Sequence, residues 1–220
     1  MRNVGAFIFL IVIASLFVVP VTEANVTVNP DGSGDYTTIQ AGINAVSSGQ
    51  IVWLADGVYS GPGNYWINPH GKNIKIWSIS GNPDQCIVDG LGEQDLFNYE
   101  SGENISSHIN GITIQNGENT VGCAIDFENS SALVTNCVIR GCIHTAVDMD
   151  NSNAQFRDCV FESNNQAMII STSNPWITRC VFKGNSSDFG GAMYSVGSYP
   201  LITNCLFIDN SATDSGGAIE

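Results

Sequence analysis

Four acidic residues occupy matching positions in two short segments of the chain. Asp126-Phe-Glu128 and Asp148-Met-Asp150 each follow an alanine and an aliphatic residue, so Asp126 aligns with Asp148 and Glu128 with Asp150. Because strand side chains alternate between two faces, strands here would point the intervening apolar residues inward and the acids outward. Neighbouring strands would place the carboxylates about 4.8 Å apart between strands and about 7 Å apart along each strand.

Three kinds of chemistry suit such a square of carboxylates. Salt can screen the charges, which would leave a solvated acidic surface with no catalytic residue. A hard cation such as Ca²⁺ could be held by Asp126, Glu128, Asp148 and Asp150, because it prefers carboxylate oxygens. Alternatively, Asp126 and Asp148 could act on a sugar substrate as acid and base, or as acid and nucleophile. The sequence leaves all three interpretations open.

A repeat around four cysteines positions these acids. Cys137, Cys159, Cys180 and Cys205 recur at intervals of 22, 21 and 25 residues, and Gly111 extends the series 26 residues before Cys137. Each repeat contains about three strand-length pieces separated by Asn, Ser, Gly and Pro, which leaves no room for crossover helices. The sequence therefore predicts an all-β, right-handed parallel β-helix with three-strand coils of about 21–26 residues.

Two inward columns of side chains are predicted to run along this helix. The cysteines are expected inside an alternating strand as reduced, buried thiols, because coils about 4.8 Å apart do not suit the Cβ separation of about 3.8 Å in a disulfide. Cys123 with Cys142 is an exception that stays open, since both flank one turn region. Five residues after the cysteine position, amides are predicted to bond to the coils above and below. These are Asn116, Asn164, Asn185 and Asn210.

The beginning of the chain differs from the repeat. Residues 1–24 have a basic residue, an apolar run and a small-residue cleavage site, which predicts a secretory signal peptide. Residues 25–60 are assigned to an N-terminal cap and the first coil. A short amphipathic capping helix is predicted over Tyr36 to Ser47, begun by Asp35 or Thr37 and ended by Gly49.

The coils are assigned to residues 61–220. The last motif, Gly216-Gly-Ala-Ile219, begins a repeat that the sequence does not complete. An uncovered coil would expose core and backbone to water. We therefore expect a missing C-terminal domain or a partner to cover this end.

The charge of the chain restricts its partners. The formal net charge is −14 at pH 7. A surface of this sign repels phosphate backbones and anionic membranes, which argues against nucleic acid and against membrane insertion after signal cleavage. The expected partners are a polysaccharide or a cell-surface protein, and the expected location is extracellular, either secreted or at the cell surface.

Other side chains that could bind a ligand or take part in catalysis also have ordinary structural interpretations. His144 is expected to be a turn residue, and Trp176 an exposed residue in a turn. A sugar-stacking surface could be offered by Trp53, Trp66, Trp77 or Trp176, although core or packing roles are expected for Trp53 and Trp77. Three arginines are expected on other strands of the coil than the acids, namely Arg140, Arg157 and Arg179.

Paired motifs in the second half of the chain resemble a known group of proteins. They are similar to the FxxN and GGAI repeats of polymorphic outer-membrane proteins and of bacterial surface proteins with a pectin-lyase-like β-helix. The resemblance implies an exported β-helix and, in the polymorphic proteins, adhesion and a C-terminal translocator. The motifs are Phe161-Glu-Ser-Asn164, Phe182-Lys-Gly-Asn185, Phe207-Ile-Asp-Asn210, Gly190-Gly-Ala-Met193 and Gly216-Gly-Ala-Ile219.

The stretch from Val28 to Tyr59 resembles the start of pectin methylesterases. The similarity rests on Asp31-Gly-Ser-Gly-Asp35 with the following Tyr-Thr-Thr-Ile-Gln, and on Ala55-Asp-Gly-Val-Tyr59. This family uses an Asp pair and an Arg on neighbouring coils, set in further motifs that this sequence does not contain.

Two functions follow from these observations. The main prediction is a non-catalytic interaction module, adhesin-like or glycan-binding, because the repeats are uniform and no nucleophile–base set stands out. The alternative is a polysaccharide-acting enzyme of the pectin-lyase-like class, a pectate lyase or pectin esterase type, which would use Asp126 and Asp148, with or without Ca²⁺.

Overall fold

Short strands separated by sharp turns make up most of the structure. The computed structural model describes residues 24–92, 95–117 and 122–220, so the signal peptide prediction for residues 1–24 falls almost wholly outside the described residues. The one helix in these ranges is α1, Ile39–Ala45. The strands are β1 Val26–Val28, β2 Ile51–Leu54, β3 Gly57–Tyr59, β4 Lys75–Ser78, β5 Cys86–Asp89, β6 Phe97–Tyr99, β7 His108–Asn110, β8 Thr113–Gln115, β9 Cys123–Glu128, β10 Leu133–Thr135, β11 Val138–Arg140, β12 Thr145–Asp150, β13 Gln155–Arg157, β14 Val160–Glu162, β15 Gln166–Ser171, β16 Trp176–Thr178, β17 Val181–Lys183, β18 Ser186–Phe189, β19 Met193–Val196, β20 Leu201–Thr203, β21 Leu206–Ile208 and β22 Ser211–Ser215.

Three parallel sheets are built by the successive coils, each of which contributes one strand to a sheet before the chain turns to the next. Sheet A has the order β1-β2-β4-β7-β10-β13-β16-β20, and sheet B the order β21-β17-β14-β11-β8-β5-β3. Sheet C has the order β19-β15-β12-β9-β6, and β18 pairs with β22 beside it. This arrangement confirms the predicted right-handed parallel β-helix, in which each strand hydrogen-bonds to the coils before and after it.

The interior is filled by one inward row of side chains from each sheet. On sheet B, the phenylalanines of the FxxN motifs stack with ring centroids 4.7 Å apart for Phe161 and Phe182 and 4.9 Å apart for Phe182 and Phe207. Phe161 and Phe182 are fully buried. Each such ring contributes up to about 3 kcal/mol by leaving water, so the repeat of Phe at coil spacing largely explains why the coils stack.

Each corner of the coil uses a residue with a left-handed backbone, followed by a small inward residue. Where sheet A turns to sheet B, φ lies between 50° and 55° at Asn136, Asp158, Arg179 and Asn204, and a cysteine follows each of them. The cysteines are therefore at a bend between two strands, and the prediction that they lie inside a strand is wrong. The positive φ interrupts the strand alternation and turns the following side chain inward.

The start of the cysteine column also differs from the sequence-based alignment. Val138 pairs with Thr113, so Cys137 lies above Ile112 and Asn136 lies above Gly111. Gly111 has a φ of 74°. It shares the left-handed corner position and does not begin the column.

The thiols in this column are free and inward, as predicted. All seven cysteines of the chain are in the described residues, and all are free. At the A-to-B corner, each thiol donates to the carbonyl two residues before it, at 3.2 Å for Cys137 and 3.3 Å for Cys159. Cys123 and Cys142 are also buried and free, so the disulfide left open between them is not formed.

A ladder of asparagines stabilises the corner between sheets B and C. Asn185 donates from Nδ2 to the carbonyl of Phe161 at 3.0 Å and to Oδ1 of Asn210 at 2.9 Å, and its own Oδ1 accepts from the backbone and side chain of Asn164. Asn185 is completely buried. The predicted inward ladder is confirmed for these three residues.

The prediction that Asn116 belongs to that ladder is wrong. Its φ is 53°, and it holds the place of Gly141, the residue before the ladder position. Its amide donates to Asp89 Oδ1. The predicted ladder position of Asn116 is counted five residues from Gly111. Because Gly111 is not in the cysteine column, this count is one residue short.

The helix α1 covers the first coil but is shorter than predicted. Thr38, and not Asp35 or Thr37, is the N-cap, since its hydroxyl accepts from the Ala41 amide at 3.4 Å. The Asp35 carboxylate instead accepts from the Thr27 amide at 2.8 Å, which holds this segment against β1. A side chain at Gly42 would lie 2.6 Å from Val28 Cγ2, so this glycine permits the close approach of α1 to β1. No helix in the described ranges is long and apolar enough to cross a membrane.

Candidate functional site

The four acids lie together on the outer face of sheet C, as their spacing predicts. Asp126 pairs in register with Asp148, and Glu128 with Asp150, on the adjacent parallel strands β9 and β12. The apolar residues that alternate with the acids along the two strands are fully buried, which confirms the predicted alternation; they are Ile125, Phe127, Val147 and Met149. Parallel strands are about 4.8 Å apart, so the carboxyl groups of each pair are neighbours.

The two pairs differ in their exposure. Asp126 and Asp148 are half-buried, whereas Glu128 and Asp150 are exposed. Asp150 Oδ1 accepts a hydrogen bond from the Thr172 hydroxyl at 2.8 Å. We call Asp126 and Asp148 the inner pair and Glu128 and Asp150 the outer pair. Partial burial can shift the pKa values of the inner pair, whereas the outer pair faces solvent.

Burial and like charge disfavour the ionised form of the inner pair. Burial, followed by the negative charge of Asp148, raises the pKa of Asp126 to about 6, with smaller contributions from Asp95 and Glu128. Burial also raises the pKa of Asp148, although the Met149 amide opposes this rise. Two carboxyl groups this close cannot both ionise freely, so the proton is retained at Asp126 when Asp148 has lost its own.

Asn98 adds an amide to the same outward row. It pairs in register with Asp126 from the preceding coil, on β6. Its Oδ1 atom is buried and has no hydrogen-bond partner among the described residues. A protonated Asp126 has a hydrogen to donate, and Asn98 Oδ1 is an acceptor in the adjacent position.

A polar pocket of about 280 Å³ opens beside Asp148 in the direction of the later coils. Ile169, which pairs in register with Asp148, forms part of its wall. Gln166 is fixed there by bonds from Nε2 to the Phe189 carbonyl at 2.9 Å and from the Ser187 hydroxyl to Oε1 at 3.1 Å. The lining residues are His144, Thr145, Asn165, Gln166, Ile169, Ser187, Asp188 and Phe189.

His144 is in a turn, as predicted, but it also borders this pocket. It immediately precedes β12, and its Nδ1 lies 3.3 Å from the Thr145 hydroxyl. The positive form of His144 lowers the pKa of Asp148, which places the imidazole within electrostatic reach of that carboxyl group. The structure thus brings His144 to the acids, although the sequence pattern predicts no functional role for it.

The calcium site at Asp126, Glu128, Asp148 and Asp150 remains a prediction. Among residues 24–92, 95–117 and 122–220, no three His, Cys, Asp or Glu side chains are grouped so that they could hold a metal ion. The four acids do share one face and one register. Cation binding there would need their side chains to rotate toward a common point, which the variable coordination of Ca²⁺ tolerates.

The three arginines named in the sequence lie on other faces. Arg140 is on β11 of sheet B and Arg157 on β13 of sheet A. Arg179 follows β16 and forms a bidentate pair with Asp158, with both N–O distances 2.7 Å. None of these guanidinium groups belongs to the face that carries Asp126 and Asp148.

The sequence-based predictions for the tryptophans of sheet A are partly wrong. Trp53 and Trp77 have the predicted packing role, since their rings meet edge-to-face with centroids 5.5 Å apart. They lie half-buried on the outer face of the sheet and not in the core, because Val52, Leu54 and Ile76 take the inward positions. Trp176 is exposed, as predicted, but it begins β16 instead of lying in a turn.

Sequence reasoning missed Asn98 and the pocket. Asn98 could have been found, because Phe97-Asn98-Tyr99 has the same apolar–polar–apolar pattern as Ile125-Asp126-Phe127. The pocket has no comparable signal. Its wall combines residues of β18 with residues of earlier coils, so it depends on contacts between coils that the sequence of one repeat does not reveal.

Comparisons with solved structures show the fold to which this site belongs. The chain is similar to a pectin methylesterase mutant solved in complex with a hexasaccharide, with a TM-score of 0.60 and 12% identity over 89% of this chain and 69% of the other. It is also similar to pectin methylesterase from carrot, with a TM-score of 0.52 and 13% identity over 84% of this chain and 53% of the other. The protein therefore has a pectin-lyase-like β-helix.

Sequence comparison also finds a similarity to a pectinesterase, over part of the chain. A probable pectinesterase/pectinesterase inhibitor of Arabidopsis thaliana is 28% identical over 113 residues, which are 50% of this chain and 18% of the plant protein. The family model described as the right handed beta helix region matches residues 97–220, more than half of the sequence. The chain therefore belongs to the right-handed β-helix family.

Proposed function

We propose that this protein hydrolyses carboxylic esters of a pectin-type polyuronate, with Asp126 and Asp148 as its catalytic pair. The observation that carries the proposal is the in-register pair on β9 and β12, with the pKa of Asp126 raised to about 6. Catalytic acids and bases are found where burial and like charges shift pKa values in this way. The similarity to proteins named pectin methylesterase and pectinesterase supports this function over the interaction module that the sequence favours.

The two carboxyl groups can divide the chemistry between them. Below about pH 6 Asp126 is largely protonated, while Asp148 ionises first. The Asp148 carboxylate attacks the ester carbonyl carbon, or removes a proton from an attacking water. Asp126 gives its proton to the departing alkoxide oxygen, so that the C–O bond breaks and an alcohol is released. If Asp148 attacks directly, a water then cleaves the bond between Asp148 and the acyl group. In either route the hydroxyl of the water bonds to the acyl carbon and its proton restores the one that Asp126 gave up, so the products are a uronic acid, which ionises, and the alcohol.

The charge around the pair favours an esterified substrate. Glu128 and Asp150 flank the pair on the same face, and the whole chain has a formal net charge of −14. An esterified uronan is neutral and can approach this face, whereas an anionic uronan is repelled. Hydrolysis converts a neutral group into a carboxylate, so the same charges favour release of the product.

The adjacent pocket provides a place for the sugar next to the reacting one. It begins at Ile169, directly beside Asp148, and is lined mainly by polar side chains. Gln166 and His144 present groups that can bond to hydroxyls, while Phe189 offers an apolar ring for a sugar face. A polymer held there would run along the helix axis across successive coils. Secretion, which the first 24 residues of the sequence predict, would bring the protein to such polymers.

Release of methanol from highly methyl-esterified pectin tests this function. Asp126→Asn and Asp148→Asn should each lower the rate at least about 100-fold, the usual contribution of a positioned acid or base. The matched control is Asp84→Asn, since Asp84 is an exposed acid in a turn away from sheet C.

The proposal fails if the wild-type protein releases no methanol, or if both sheet C variants keep the full rate. Binding of the esterified polymer without release would instead favour the non-catalytic glycan-binding module. A parallel assay for unsaturated products separates ester hydrolysis from lyase activity.

A further inference from the structure

The outer face of sheet A differs in charge from the rest of the molecule. The chain contains 21 acidic and 7 basic residues, yet none of the eight strands of sheet A contains Asp or Glu. Its outward positions include Lys75 on β4 and Arg157 on β13. Sheet C, in contrast, presents four acids on two strands. The two faces therefore attract ligands of opposite charge.

Aromatic rings form a cluster at the early coils of this face. Trp53 and Trp77 pack edge-to-face with centroids 5.5 Å apart, and His108 meets Trp77 edge-to-face at 5.3 Å. The Lys75 ammonium lies 5.3 Å from the centre of the Trp77 ring. Burial, together with the charge of Lys75, lowers the pKa of His108 to about 4, so His108 adds a neutral ring at neutral pH. This packing fixes the rings before any ligand arrives.

A second aromatic–cation pair lies further along the same face. The Arg157 guanidinium carbon is 5.0 Å from the centre of the Trp176 ring, and its Nη2 donates to Gln155 Oε1 at 3.1 Å. Trp176 is 40% exposed. Stacking on the indole orients the guanidinium, which leaves its remaining donors available for a planar carboxylate.

The two clusters lie on one line parallel to the helix axis. Trp77 and Arg157 occupy the same outward column, separated by β7 and β10, which is three strand steps or about 14 Å. Lys75 and Trp176 share the neighbouring column, four steps or about 19 Å apart. The spacing suits an extended polymer that meets both clusters, and is too long for a single sugar or small ion to meet both.

We propose that the outer face of sheet A is a binding site for an anionic, uronate-containing polysaccharide chain, separate from the carboxyl pair of sheet C. The indole rings of Trp77 and Trp176 would stack on sugar faces, and Lys75 and Arg157 would bond to uronate carboxylates. The absence of acids from all eight strands removes the repulsion that such a polymer meets on sheet C. The inference rests on the charge and geometry of sheet A and does not depend on esterase activity.

Binding of de-esterified polygalacturonate, measured by isothermal titration calorimetry at low salt, tests this site. Arg157→Gln and Trp176→Ala should each weaken binding about tenfold, since loss of a charge-assisted bond or a stacked ring costs about 1.4 kcal/mol. Lys75→Gln combined with Arg157→Gln should weaken it further, and added salt should weaken wild-type binding as well. Fully methyl-esterified pectin, which has no charge, should bind this face more weakly than polygalacturonate.

Two controls separate this site from general effects of charge and aromatic loss. Arg140→Gln removes a cation from β11 of sheet B, on a different face of the molecule. Trp66→Ala removes an exposed tryptophan outside sheet A, with 59% of its surface accessible. Both should retain wild-type affinity. Thermal unfolding of every variant checks that the fold is kept.

Other results would overturn the inference. Equal losses in the Arg140 and Trp66 controls, unchanged affinity in the Arg157 and Trp176 variants, or no binding of polygalacturonate would each contradict it. A loss in Asp148→Asn with none in Arg157→Gln would place the polymer on sheet C instead. Because Asp126→Asn and Asp148→Asn should keep polygalacturonate binding, failure of the esterase proposal leaves this measurement intact.

Discussion

Asp126 on β9 and Asp148 on β12 are direct register partners on parallel strands, and neither carboxyl group faces the core. Burial and the Asp148 charge raise the pKa of Asp126 to about 6. The pairing of β9 with β12 therefore brings the two carboxyl groups together and, with burial, makes their protonation unequal, as acid–base chemistry requires.

The rate of ester hydrolysis should depend on pH through this pair. Activity should decline above about pH 6, because Asp126 then loses the proton that it gives to the leaving group. It should also decline at low pH as Asp148 becomes protonated. Methanol release measured between about pH 3 and pH 8 checks the profile. A rate that keeps rising through neutral pH would contradict the assignment of Asp126 as the acid.

Asp126 should also make stability depend on pH. Its pKa is about 6 in the folded protein and 3.8 for an unperturbed aspartate side chain, so the folded state holds more protons between these values. Stability should therefore fall as pH rises through this window. Asp126→Asn should stabilise the protein by about 1–2 kcal/mol at neutral pH, after allowance for solvent screening, and by little below about pH 4.

Urea unfolding at three pH values measures this effect. Asp84→Asn, at an exposed turn, serves as the control and should not change the pH dependence. If Asp126→Asn were destabilising at neutral pH and neutral in acid, the sign of the proposed shift would be wrong.

Asn185 and Asn116 distinguish the true asparagine ladder from the sequence-based one. Asn185→Ala should cost about 2–4 kcal/mol, because it removes two donated bonds and takes away the acceptor of the buried Asn164 backbone amide. Asn116→Gly should change stability by less than about 1 kcal/mol, since glycine readily adopts its φ of 53°. Denaturant unfolding compares them, and equal losses would contradict the corrected register.

The cysteines should react with a thiol reagent in a defined order. Six are buried and Cys205 is half-buried, so Cys205 should react first in the folded protein. Burial raises the pKa of Cys205 as well, so even this reaction should be slow at neutral pH. All seven should react in denaturant without a reductant, and Cys205→Ala should remove the early reaction. Fewer than seven thiols in denaturant would show that a disulfide forms.

The calcium prediction can be tested on the same carboxylates. If Ca²⁺ binds at Asp126, Glu128, Asp148 and Asp150, millimolar concentrations should raise the melting temperature, by linkage of binding to folding. Asp150→Asn should reduce this rise, whereas Asp84→Asn should not. Bound Ca²⁺ would also hold Asp126 in its ionised form and so inhibit ester hydrolysis. No stabilisation by millimolar Ca²⁺ would rule out the predicted site.

Much of this protein is determined by the sequence alone. The repeat of Cys137, Cys159 and Cys180 at coil spacing predicts the parallel β-helix, because only stacked coils give every copy of a motif the same surroundings. The alternation around Asp126 and Asp148 predicts that both face outward and pair, since strand geometry has a strict period of two. Periodic signals of this kind survive variation in turn length.

Only the tertiary structure decided the features that depend on the corners and on contacts between coils. A residue with a left-handed backbone precedes each cysteine, so Cys137 lies at a bend and not in a strand. The observed register also places Gly111 and Asn116 one position away from their predicted places. Because a one-residue shift exchanges the inward and outward faces, spacing alone could not settle these assignments. The raised pKa of Asp126 likewise depends on burial and on a neighbour 22 residues away, and neither is encoded locally.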